Sequence, residues 1–372
     1  MTVKRSPQTP KYQQVYAGLW REIESGRLRQ GDRLPSEAEL ERKFGVSRIT
    51  VGRAVRDLQT AGLVERRAGS GTYVKGRSQS AGAYSFGLLI PDLGETEIFE
   101  PICQGMMTSP LARQHALVWG SINGVGQSKD DHAWQLCRQY IDRRVSGVFF
   151  APLELTREKD DVNKRIANAL DEAGIPIVLL DRTVLPYPRR GHHDLVGIDN
   201  RRAGYVITEH LLRLGARRIA FVGVPHAAAT VDAREAGYRE ALFVWDVPVD
   251  RSRIHRLNPE DPEVVGRLMT SAVPDAIVCA NDRTAARLMR TLLRMDYRVP
   301  RDIRLVGIDD VEYASLLPVP LTTLRQPTRQ IGDAALTAML ERVARRDLAA
   351  RDILLHTDLI VRESCGAAVK VD

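Results

Sequence analysis

Cysteine is scarce in this sequence, and its cysteines are scattered. The four residues, Cys103, Cys137, Cys279 and Cys365, lie far apart, and none belongs to a CxxC or a Cys/His cluster. Disulfide frameworks and zinc sites need closely spaced ligands or a paired set, so neither is indicated. We therefore expect buried, reduced thiols and no bound metal.

Long apolar runs are also missing. No stretch approaches the ~18 residues that a membrane span requires. The opening segment, "MTVKRSPQTPKYQQ", lacks the apolar core of a signal peptide. We therefore expect a cytoplasmic protein with no membrane partner.

The common catalytic signatures are absent as well. The sequence contains no GxGxxG after a predicted strand, no GxxxxGK[ST], no HExxH and no GxSxG. These motifs bind dinucleotides or phosphates, hold zinc, or present a nucleophilic serine. We expect neither a cofactor nor catalytic residues, and we do not expect an enzyme.

Positive charge, in contrast, is present and concentrated. Residues 1–80 contain 16 Lys and Arg against 8 Asp and Glu, whereas the remaining residues contain 38 against 39. The whole excess of positive charge therefore belongs to the first fifth of the chain. A basic module attached to a nearly neutral body indicates a polyanion that binds the module alone.

The basic segment has the pattern of three helices and a hairpin. Apolar residues recur at helical spacing in "KYQQVYAGLWREIESG", and Gly26 can end that first helix. Ser36 and Glu39 form a capping box for a second helix, and Gly45 permits a sharp turn before a third. The strands "LVERR" and "TYV" then flank "AGSG". This order predicts a winged helix-turn-helix, in which the third helix enters the DNA major groove.

The third helix is predicted to be amphipathic. Its apolar stripe leaves Arg48, Gly52, Arg53 and Arg56 on the opposite side. Arginine can bond bidentately to guanine in the major groove, and the glycines of the hairpin let its tip approach phosphates. A solvated charged face is the alternative interpretation of these arginines taken alone.

The segment "RLRQGDRLPSEAELERKFGVSRITVGRAVRDLQTAGLVERRAGSGTYV" resembles the DNA-binding domain of the GntR family of bacterial transcription regulators. The resemblance spans about residues 10–76. It implies operator DNA as a partner, with contacts from Ser36, Ser47, Arg48, Thr50, Arg53 and Gly69. The family usually has arginine at the position of Gly52, so whether Arg53 replaces that arginine is open.

After the small, polar segment "KGRSQSAGAYS" the pattern changes to apolar runs that alternate with helices. The runs are "FGLLIP", "LVWGS", "GVFFAP", "PIVLLD", "RIAFVG", "DAIVCAN" and "IRLVGIDD". Strands separated by helices predict parallel sheets covered on both faces. The series is too long for one compact sheet, and "RTVLPYPRRGHHD" (182–194) interrupts it. We therefore predict two doubly wound lobes hinged near that segment.

Polar residues follow several of these strands. Ligands of parallel sheets bind beyond the carboxyl ends of the strands, so such residues are candidates for a site. They are Asp92, Asp181, Asn281, Asp282, Asp309 and Asp310, with Arg234 at the start of a helix. Carboxylate, amide and guanidinium groups that converge between two lobes suit a sugar or similar polyol. The alternative for each residue alone is helix capping.

Four segments carry a second resemblance: "VGIDNRRAGYVITEHLLRLGARRIAFVG", "AREAGYREAL", "AIVCANDRTA" and "LVGIDDVEYASLLPVPLTTLRQP". They are similar to the effector domain of LacI/GalR repressors, which is related to periplasmic sugar-binding proteins. The resemblance spans roughly residues 85–364. It implies a small-molecule effector, bound by Phe99, Asp181, Arg234, Asn281 and Asp309.

The two resemblances together are those of the AraR-like subgroup, which implies a sugar, such as a pentose, and a homodimer. The predicted fold class is α/β: an N-terminal winged helix-turn-helix plus a two-lobed, doubly wound parallel-sheet effector domain of the periplasmic-binding-protein-like type I. The expected boundaries are 1–76, a linker at 77–85, an effector and dimerisation domain at 86–366, and a tail at 367–372.

The expected function is sequence-specific, effector-controlled transcription regulation, as a repressor. Two alternatives remain. The first is an enzyme with an accessory DNA-binding domain that acts on a small polyol or sugar; Asp309 and Asp310 could hold a metal, but no histidine cluster supports the pair. The second is a solute-binding protein for transport, which the basic first domain does not favour.

Overall fold

The computed structural model describes residues 11–24, 27–28, 31–60, 63–67, 70–74, 83–91, 97–120, 128–271 and 273–367. The chain divides into two compact units, Met1–Gly82 and Ala83–Asp372. Most of the predicted linker and tail lies outside the described residues, as do Gly26, Gly69 and Asp92. Each unit has apolar clusters of its own.

The first unit is a winged helix-turn-helix, as the sequence predicts. Its elements are α1 (Lys11–Glu24), α2 (Glu37–Phe44), α3 (Arg48–Thr60), β1 (Val64–Arg67) and β2 (Gly71–Val74). The capping box is present, because the Glu39 amide donates to Ser36 Oγ at 3.3 Å and the Ser36 amide donates to Glu39 Oε2 at 2.7 Å. Gly45 ends α2 at a φ of 63°, a left-handed conformation that glycine adopts without a steric penalty. This turn sets the direction of α3.

One apolar cluster joins the three helices to the hairpin. Its buried members are Val15, Leu19, Leu34, Leu40, Val51, Ala54, Leu58, Val64 and Val74. Strands β1 and β2 pair in antiparallel register. The segment before α2 lies beside β2, because the Leu34 amide donates to Thr72 O and the Val74 amide donates to Asp32 O, both at 2.8 Å. The wing is thereby fixed to the helical core.

The second unit alternates strands and helices. In chain order its elements are β3 (Ser85–Leu89), α4 (Phe99–Thr108), β4 (Ala116–Val118), α5 (Lys129–Asp142), β5 (Gly147–Phe150), α6 (Lys159–Glu172), β6 (Ile177–Leu180), β7 (Asp194–Ile198), α7 (Asn200–Arg213), β8 (Ile219–Gly223), α8 (Ala229–Val244), β9 (Ile254–Arg256), α9 (Pro262–Ser271), β10 (Ala276–Cys279), α10 (Asp282–Arg294), β11 (Arg304–Asp309), β12 (Thr322–Arg325), α11 (Thr328–Ala344), β13 (Asp352–Leu355) and β14 (Asp358–Ile360). Each of the seven apolar runs quoted above overlaps a strand.

These strands form two six-stranded sheets, one in each lobe. Lobe 1 has the order β13-β7-β6-β5-β3-β4, and all of its strands are parallel. Lobe 2 has the order β14-β12-β11-β10-β8-β9, and only β14 is antiparallel to its neighbour. Strands β5, β6, β8 and β10 are buried at every position, as expected for sheets that helices cover on both faces.

Within the described residues, the chain passes between the lobes three times. The crossings join β7 to α7, β12 to α11, and β13 to β14. The hinge expected near 182–194 therefore needs a correction. That segment joins β6 to β7 within the sheet of lobe 1, and the first crossing comes just after it, at 198–200.

Each lobe contains a helix pair that packs through glycines. A Cβ on Gly105 of α4 would lie 2.2 Å from Arg329 O, and one on Gly332 of α11 would lie 2.0 Å from Ile102 O. In lobe 2, a Cβ on Gly204 of α7 would lie 1.9 Å from Arg234 O, and one on Gly237 of α8 would lie 1.8 Å from Arg201 O. The two helices of each pair therefore touch backbone to backbone.

The four cysteines are free and buried, as predicted. Burial raises the pKa of the Cys103 and Cys137 thiols to about 12, so neither is a reactive thiolate. Among the residues that the structure describes, no helix has the length and apolar character needed to cross a membrane.

Candidate functional site

The first candidate surface is the exposed side of α3. The Arg48 side chain is 78% exposed, and its Nε donates to Glu37 Oε2 on α2 at 2.9 Å. The hydroxyls of Ser47 and Thr50 lie 3.0 Å apart in the same first turn. An exposed ion pair of this kind contributes little to stability, so Arg48 can exchange Glu37 for another anion at low cost.

Arg53 and Gly52 differ in their surroundings. The Arg53 guanidinium lies 3.9 Å from the centre of the Tyr12 ring, so it stacks against α1. Apart from its chain neighbours and the helix backbone, a Cβ placed on Gly52 would meet no atom within 4 Å. Because Arg53 stacks on Tyr12, it is held on the side of α1, and the helix surface at Gly52 is open to residues from outside the helix.

Ser36 and Gly69 were also expected to contact DNA, and the structure describes only Ser36. The Ser36 hydroxyl donates to Glu39 Oε2 at 2.8 Å and also accepts the Glu39 amide, so its evident role is to cap α2. Gly69 lies outside the described residues. In the described part of the wing, Arg66 of β1 is exposed.

The sequence analysis did not single out Ile49, which is 81% exposed in the first turn of α3. It projects outside the apolar stripe and stands between Arg48 and Thr50. An aliphatic side chain that is this exposed on a basic helix is a candidate to contact an apolar group of a binding partner that is otherwise polar. The signal in the sequence was an isoleucine that does not fit the helical spacing of Val51, Ala54 and Leu58.

The second candidate site is the cleft between the lobes of the second unit. On the side of lobe 1, Asp181 and Arg182 follow β6, and both are buried. The Arg182 Nη1 lies 2.8 Å from Glu154 Oε1 and its Nε lies 3.5 Å from Asp181 Oδ2. Glu154 Oε2 in turn accepts the Ala228 amide at 3.1 Å, at the start of α8 in lobe 2. This carboxylate therefore connects the two lobes.

On the side of lobe 2, the buried Arg234 of α8 organises the site. Its Nε donates to Asn200 Oδ1 at 2.8 Å, its Nη1 donates to Ala280 O at 2.6 Å, and its Nη2 lies 3.4 Å from Asp309 Oδ1. The Gln326 Nε2 donates to the same Asp309 oxygen at 2.7 Å. Asn200 and Gln326 lie on two of the three crossings between the lobes.

The buried acids of the cleft have shifted pKa values. Burial raises the pKa of Asp181, although the charges of Arg182 and Arg234 oppose the shift. Burial also raises the pKa of Asp309, against the effect of Arg234. For Glu154 the upward effect of burial is outweighed, mainly by the charge of Arg182, and the pKa is lowered.

Backbone strain accompanies these charges. Asp181 has a φ of 65° and Asp309 a φ of 131°. A residue with a side chain pays about 1–3 kcal/mol for such conformations, and they persist where the surrounding structure enforces them. Strain of this kind is concentrated at functional sites, which supports a site at the ends of β6 and β11.

Two buried oxygen atoms in this cleft have no hydrogen-bond partner among the described residues. They are Asp181 Oδ1 and Gln326 Oε1. An unpaired buried acceptor costs about 1–3 kcal/mol, so native structures normally satisfy it. Both atoms are therefore positioned to accept hydrogen bonds from a bound molecule.

The remaining candidates are less central. Asn281 Oδ1 accepts the Thr284 amide at 2.9 Å and so caps α10, although it follows the Ala280 carbonyl that Arg234 bonds. Phe99 is fully buried, and the Arg182 guanidinium lies 5.1 Å from the centre of its ring. Asp310 is bound by Arg325 at 2.6 Å and by Arg362 at 2.7 Å. With its two oxygens taken, Asp310 does not form a metal pair with Asp309.

An open pocket adjoins this cleft. Residues of both lobes line it, among them Arg182 and Thr183 from lobe 1 and Ala228 and Asp232 from lobe 2. Arg182 therefore links the pocket to the buried charges. The sequence analysis missed Glu154, Arg182, Asn200 and Gln326, because each depends on contacts that only the folded lobes create.

The comparisons with known proteins agree with this architecture. The family described as bacterial regulatory proteins, gntR family, matches residues 11–74, and the periplasmic binding protein-like domain matches residues 208–365. The chain joins a GntR-type DNA-binding domain to a periplasmic-binding-protein-like domain. The matched ranges contain α3 and three of the effector candidates, Arg234, Asn281 and Asp309.

Individual relatives extend this similarity along the chain. The arabinose metabolism transcriptional repressor of Geobacillus stearothermophilus is 27% identical over 366 residues, which are 95% of this chain and 97% of that protein. A solved transcriptional regulator, CelR in complex with cellobiose, has a TM-score of 0.64 at 25% identity and covers 86% of this chain and 91% of its own. The GntR regulator from Chromobacterium violaceum has a TM-score of 0.60 at 26% identity, covering 76% and 100%. These relatives are regulators, and they give no support to the enzyme alternative.

Proposed function

We propose that this GntR-type regulator is a transcriptional repressor whose affinity for operator DNA is controlled by a neutral sugar bound between its two lobes. The observation that carries the proposal is the pair of buried, unpartnered oxygens, Asp181 Oδ1 and Gln326 Oε1, in a cleft between two lobes. The same chain carries a winged helix-turn-helix.

The chemistry of the cleft favours hydroxyl groups. Each hydroxyl donates one hydrogen bond and accepts others, so two sugar hydroxyls can satisfy the two unpaired oxygens and still accept from Arg182 or Arg234. Among the described cleft residues, both guanidinium groups already face carboxylates, Glu154 and Asp309. A phosphate ester would have to compete with these acids, whereas a neutral polyol adds to them.

The names of the relatives guide the choice of which sugars to test first. A relative that aligns along nearly the whole chain is named for arabinose metabolism, and a solved neighbour is titled as a cellobiose complex. We propose a pentose, with L-arabinose as the first ligand to test and cellobiose as the comparison. The effector roles of Asp181, Arg234 and Asp309 follow from their positions around the unpaired oxygens. Phe99 lies against the Arg182 guanidinium, and Asn281 follows the Ala280 carbonyl that Arg234 bonds.

A thermal-shift experiment with the full chain tests the sugar site. A ligand at 100 times its dissociation constant adds ~2.7 kcal/mol to the free energy of unfolding. Asp181→Asn keeps the side chain's shape but replaces an acceptor oxygen with a donor. Because a hydrogen bond to a charged group contributes about 1.5–3 kcal/mol, we expect ten-fold to hundred-fold weaker sugar binding.

The matched control is Asp358→Asn, at a largely exposed carboxylate of β14. It should leave the sugar response unchanged. A sugar response that survives Asp181→Asn, or a stronger response to sugar phosphates than to free sugars, would contradict the proposed site.

On the DNA side, we assign base and phosphate contacts to the first turn of α3. Arg48 is the candidate for a bidentate contact to guanine, and the Ser47 and Thr50 hydroxyls suit phosphate oxygens. The exposed Ile49 suits the methyl group of a thymine. Arg53, which stacks on Tyr12, would reach phosphate only from the α1 side.

A variant of Arg48 separates the two functions. Arg48→Ala should weaken operator binding by about 1–3 kcal/mol while the sugar-induced thermal shift is unchanged. The operator can be isolated by selection from random duplex DNA. Equal affinity of wild type and Arg48→Ala for the selected duplex would exclude the assigned contact.

We propose that the protein acts in the cytoplasm, where operator DNA is found.

We also propose that the protein acts as a homodimer. Dimeric helix-turn-helix proteins read two half-sites about one helical turn apart, ~34 Å. Exposed apolar side chains at the end of α8, Phe243 at 77% and Val244 at 57%, support association of the effector domains. Light scattering on the purified chain tests the dimer, and Phe243→Asp should favour the monomer.

A further inference from the structure

A second cluster of polar side chains lies in lobe 1, on the segment between β6 and β7. His192 Nε2 is 3.0 Å from Asp171 Oδ2, and His193 Nε2 is 3.1 Å from both Asp171 oxygens. Asp171 belongs to α6, whereas the two histidines precede β7. Two imidazoles and one carboxylate from separate elements therefore converge at one point.

The spacing of these atoms matches a set of metal ligands. One ligand atom from each of the three residues lies within 4.8 Å of the other two. In a tetrahedral zinc site with bonds of ~2.0–2.1 Å, neighbouring ligand atoms lie ~3.3–3.4 Å apart. The contacts of 3.0–3.1 Å from Asp171 to each imidazole need to widen by only a few tenths of an ångström to admit an ion.

Burial and charge also suit a cation. The His193 side chain is 9% exposed, Asp171 32% and His192 77%, so a fixed ligand, a partly covered ligand and an accessible one surround the point. With neutral imidazoles the cluster carries one negative charge. The nearby Arg190 is neutralised by Asp352, at 2.7 Å.

We propose that Asp171, His192 and His193 form a binding site for a divalent transition-metal ion of the class that prefers imidazole, such as Zn²⁺, Ni²⁺ or Cu²⁺. Three protein ligands leave one tetrahedral position for water. The ion ties the segment between β6 and β7 to α6. That segment begins at Asp181 and Arg182, so the metal fixes the far end of a loop whose near end lines the sugar cleft.

Calorimetric titration of the metal-stripped full chain with Zn²⁺ tests the site. We expect one Zn²⁺ per chain at this site. His192→Ala should raise the dissociation constant for Zn²⁺ ~100-fold or more, because losing a ligand should cost more than the 10–100-fold in affinity that is lost with a group that only supports a ligand. His192 is exposed, so the variant should fold. The matched control is His356→Ala, at a similarly exposed histidine 3.9 Å from Asp358, which should bind Zn²⁺ as the wild type does.

A second variant and a second readout complete the test. Asp171→Asn should weaken Zn²⁺ binding as His192→Ala does, and Zn²⁺ should raise the thermal midpoint of the wild type but of neither variant. Cobalt bound at the site should give the visible absorption of a tetrahedral ion. If Zn²⁺ binds the wild type no more tightly than it binds His192→Ala, or if His356→Ala causes the same loss, the proposal is wrong.

Discussion

The open surface beside Gly52 allows a direct test of how α3 meets DNA. Substitution by arginine restores the residue that the GntR family usually has at this position. The new arginine should require no rearrangement of the surrounding residues, because a Cβ at Gly52 meets nothing within 4 Å apart from its chain neighbours and the helix backbone. It would stand between Arg48 and Arg56, four residues away on either side of the same helix face.

The expected change in stability follows from two opposing terms. Replacing glycine by alanine within a helix gains about 1 kcal/mol, and arginine ranks close behind alanine. Two like-charge neighbours at a spacing of four residues each remove about 0.2–0.5 kcal/mol. Gly52→Ala should therefore raise the free energy of unfolding by about 1 kcal/mol, whereas Gly52→Arg should stay within a few tenths of the wild type.

The change in DNA binding should have the opposite ranking. Each added phosphate contact makes the slope of log K against log salt steeper by about 0.9. Fluorescence anisotropy of a labelled duplex at several salt concentrations measures this slope. We expect Gly52→Arg to bind more tightly at low salt with the steeper slope, and Gly52→Ala to keep the slope of the wild type. If the two variants have the same slope, the open side of α3 does not face the DNA backbone.

Three further predictions concern the other surfaces. Ile49→Ala should lower operator affinity about four-fold, because a lost contact with one methyl group is worth ~0.8 kcal/mol. This loss should vanish on a duplex in which uracil replaces the contacted thymine. Gly204→Ala should destabilise the chain by about 1–3 kcal/mol or more in chemical denaturation, because its Cβ would lie 1.9 Å from Arg234 O, and it should also weaken sugar binding. The pKa of Asp309 is raised by burial, so the folded state holds its proton to higher pH than the unfolded state. The wild type should therefore lose stability relative to Asp309→Asn as the pH rises from about 4 towards neutrality; equal pH profiles would contradict this.

The elements that the sequence predicted correctly are those with strong local signals. The helix-turn-helix was predictable because a capping box at Ser36 and a glycine turn at Gly45 fix its boundaries within a few residues. The long apolar runs identified the central strands of both sheets. Strands β7, β9, β12, β13 and β14 were missed, because polar residues within or beside them break up the apolar run that marked the other strands. Edge and crossing strands acquire their structure from pairing with strands distant in the sequence.

The site was predictable only in part, for the same reason. Asp181 and Asp309 stand at the ends of strands, where sequence position implies a ligand-facing location, and Arg234 lies in the second turn of α8. Glu154 and Gln326 carry no such signal, since their roles arise when the lobes meet. Asn281 shows the opposite limit, because an asparagine after a strand predicts a cap and a ligand contact equally well.

The hydrogen bonds of the cleft suggest how a bound sugar could reach the rest of the molecule. Asn200 lies on the first crossing between the lobes and Gln326 on the second, and each bonds a central site residue, Arg234 or Asp309. A sugar hydroxyl that donates to Gln326 Oε1 therefore acts on a connecting segment as well as on the pocket wall. The ligand must bind one arrangement of the lobes better than the other to shift their populations. Groups on the crossings are part of the site, so a change in the angle between the lobes alters the contacts with the ligand. The ligand would then bind the two lobe arrangements with different affinities, which control of DNA binding by a ligand requires.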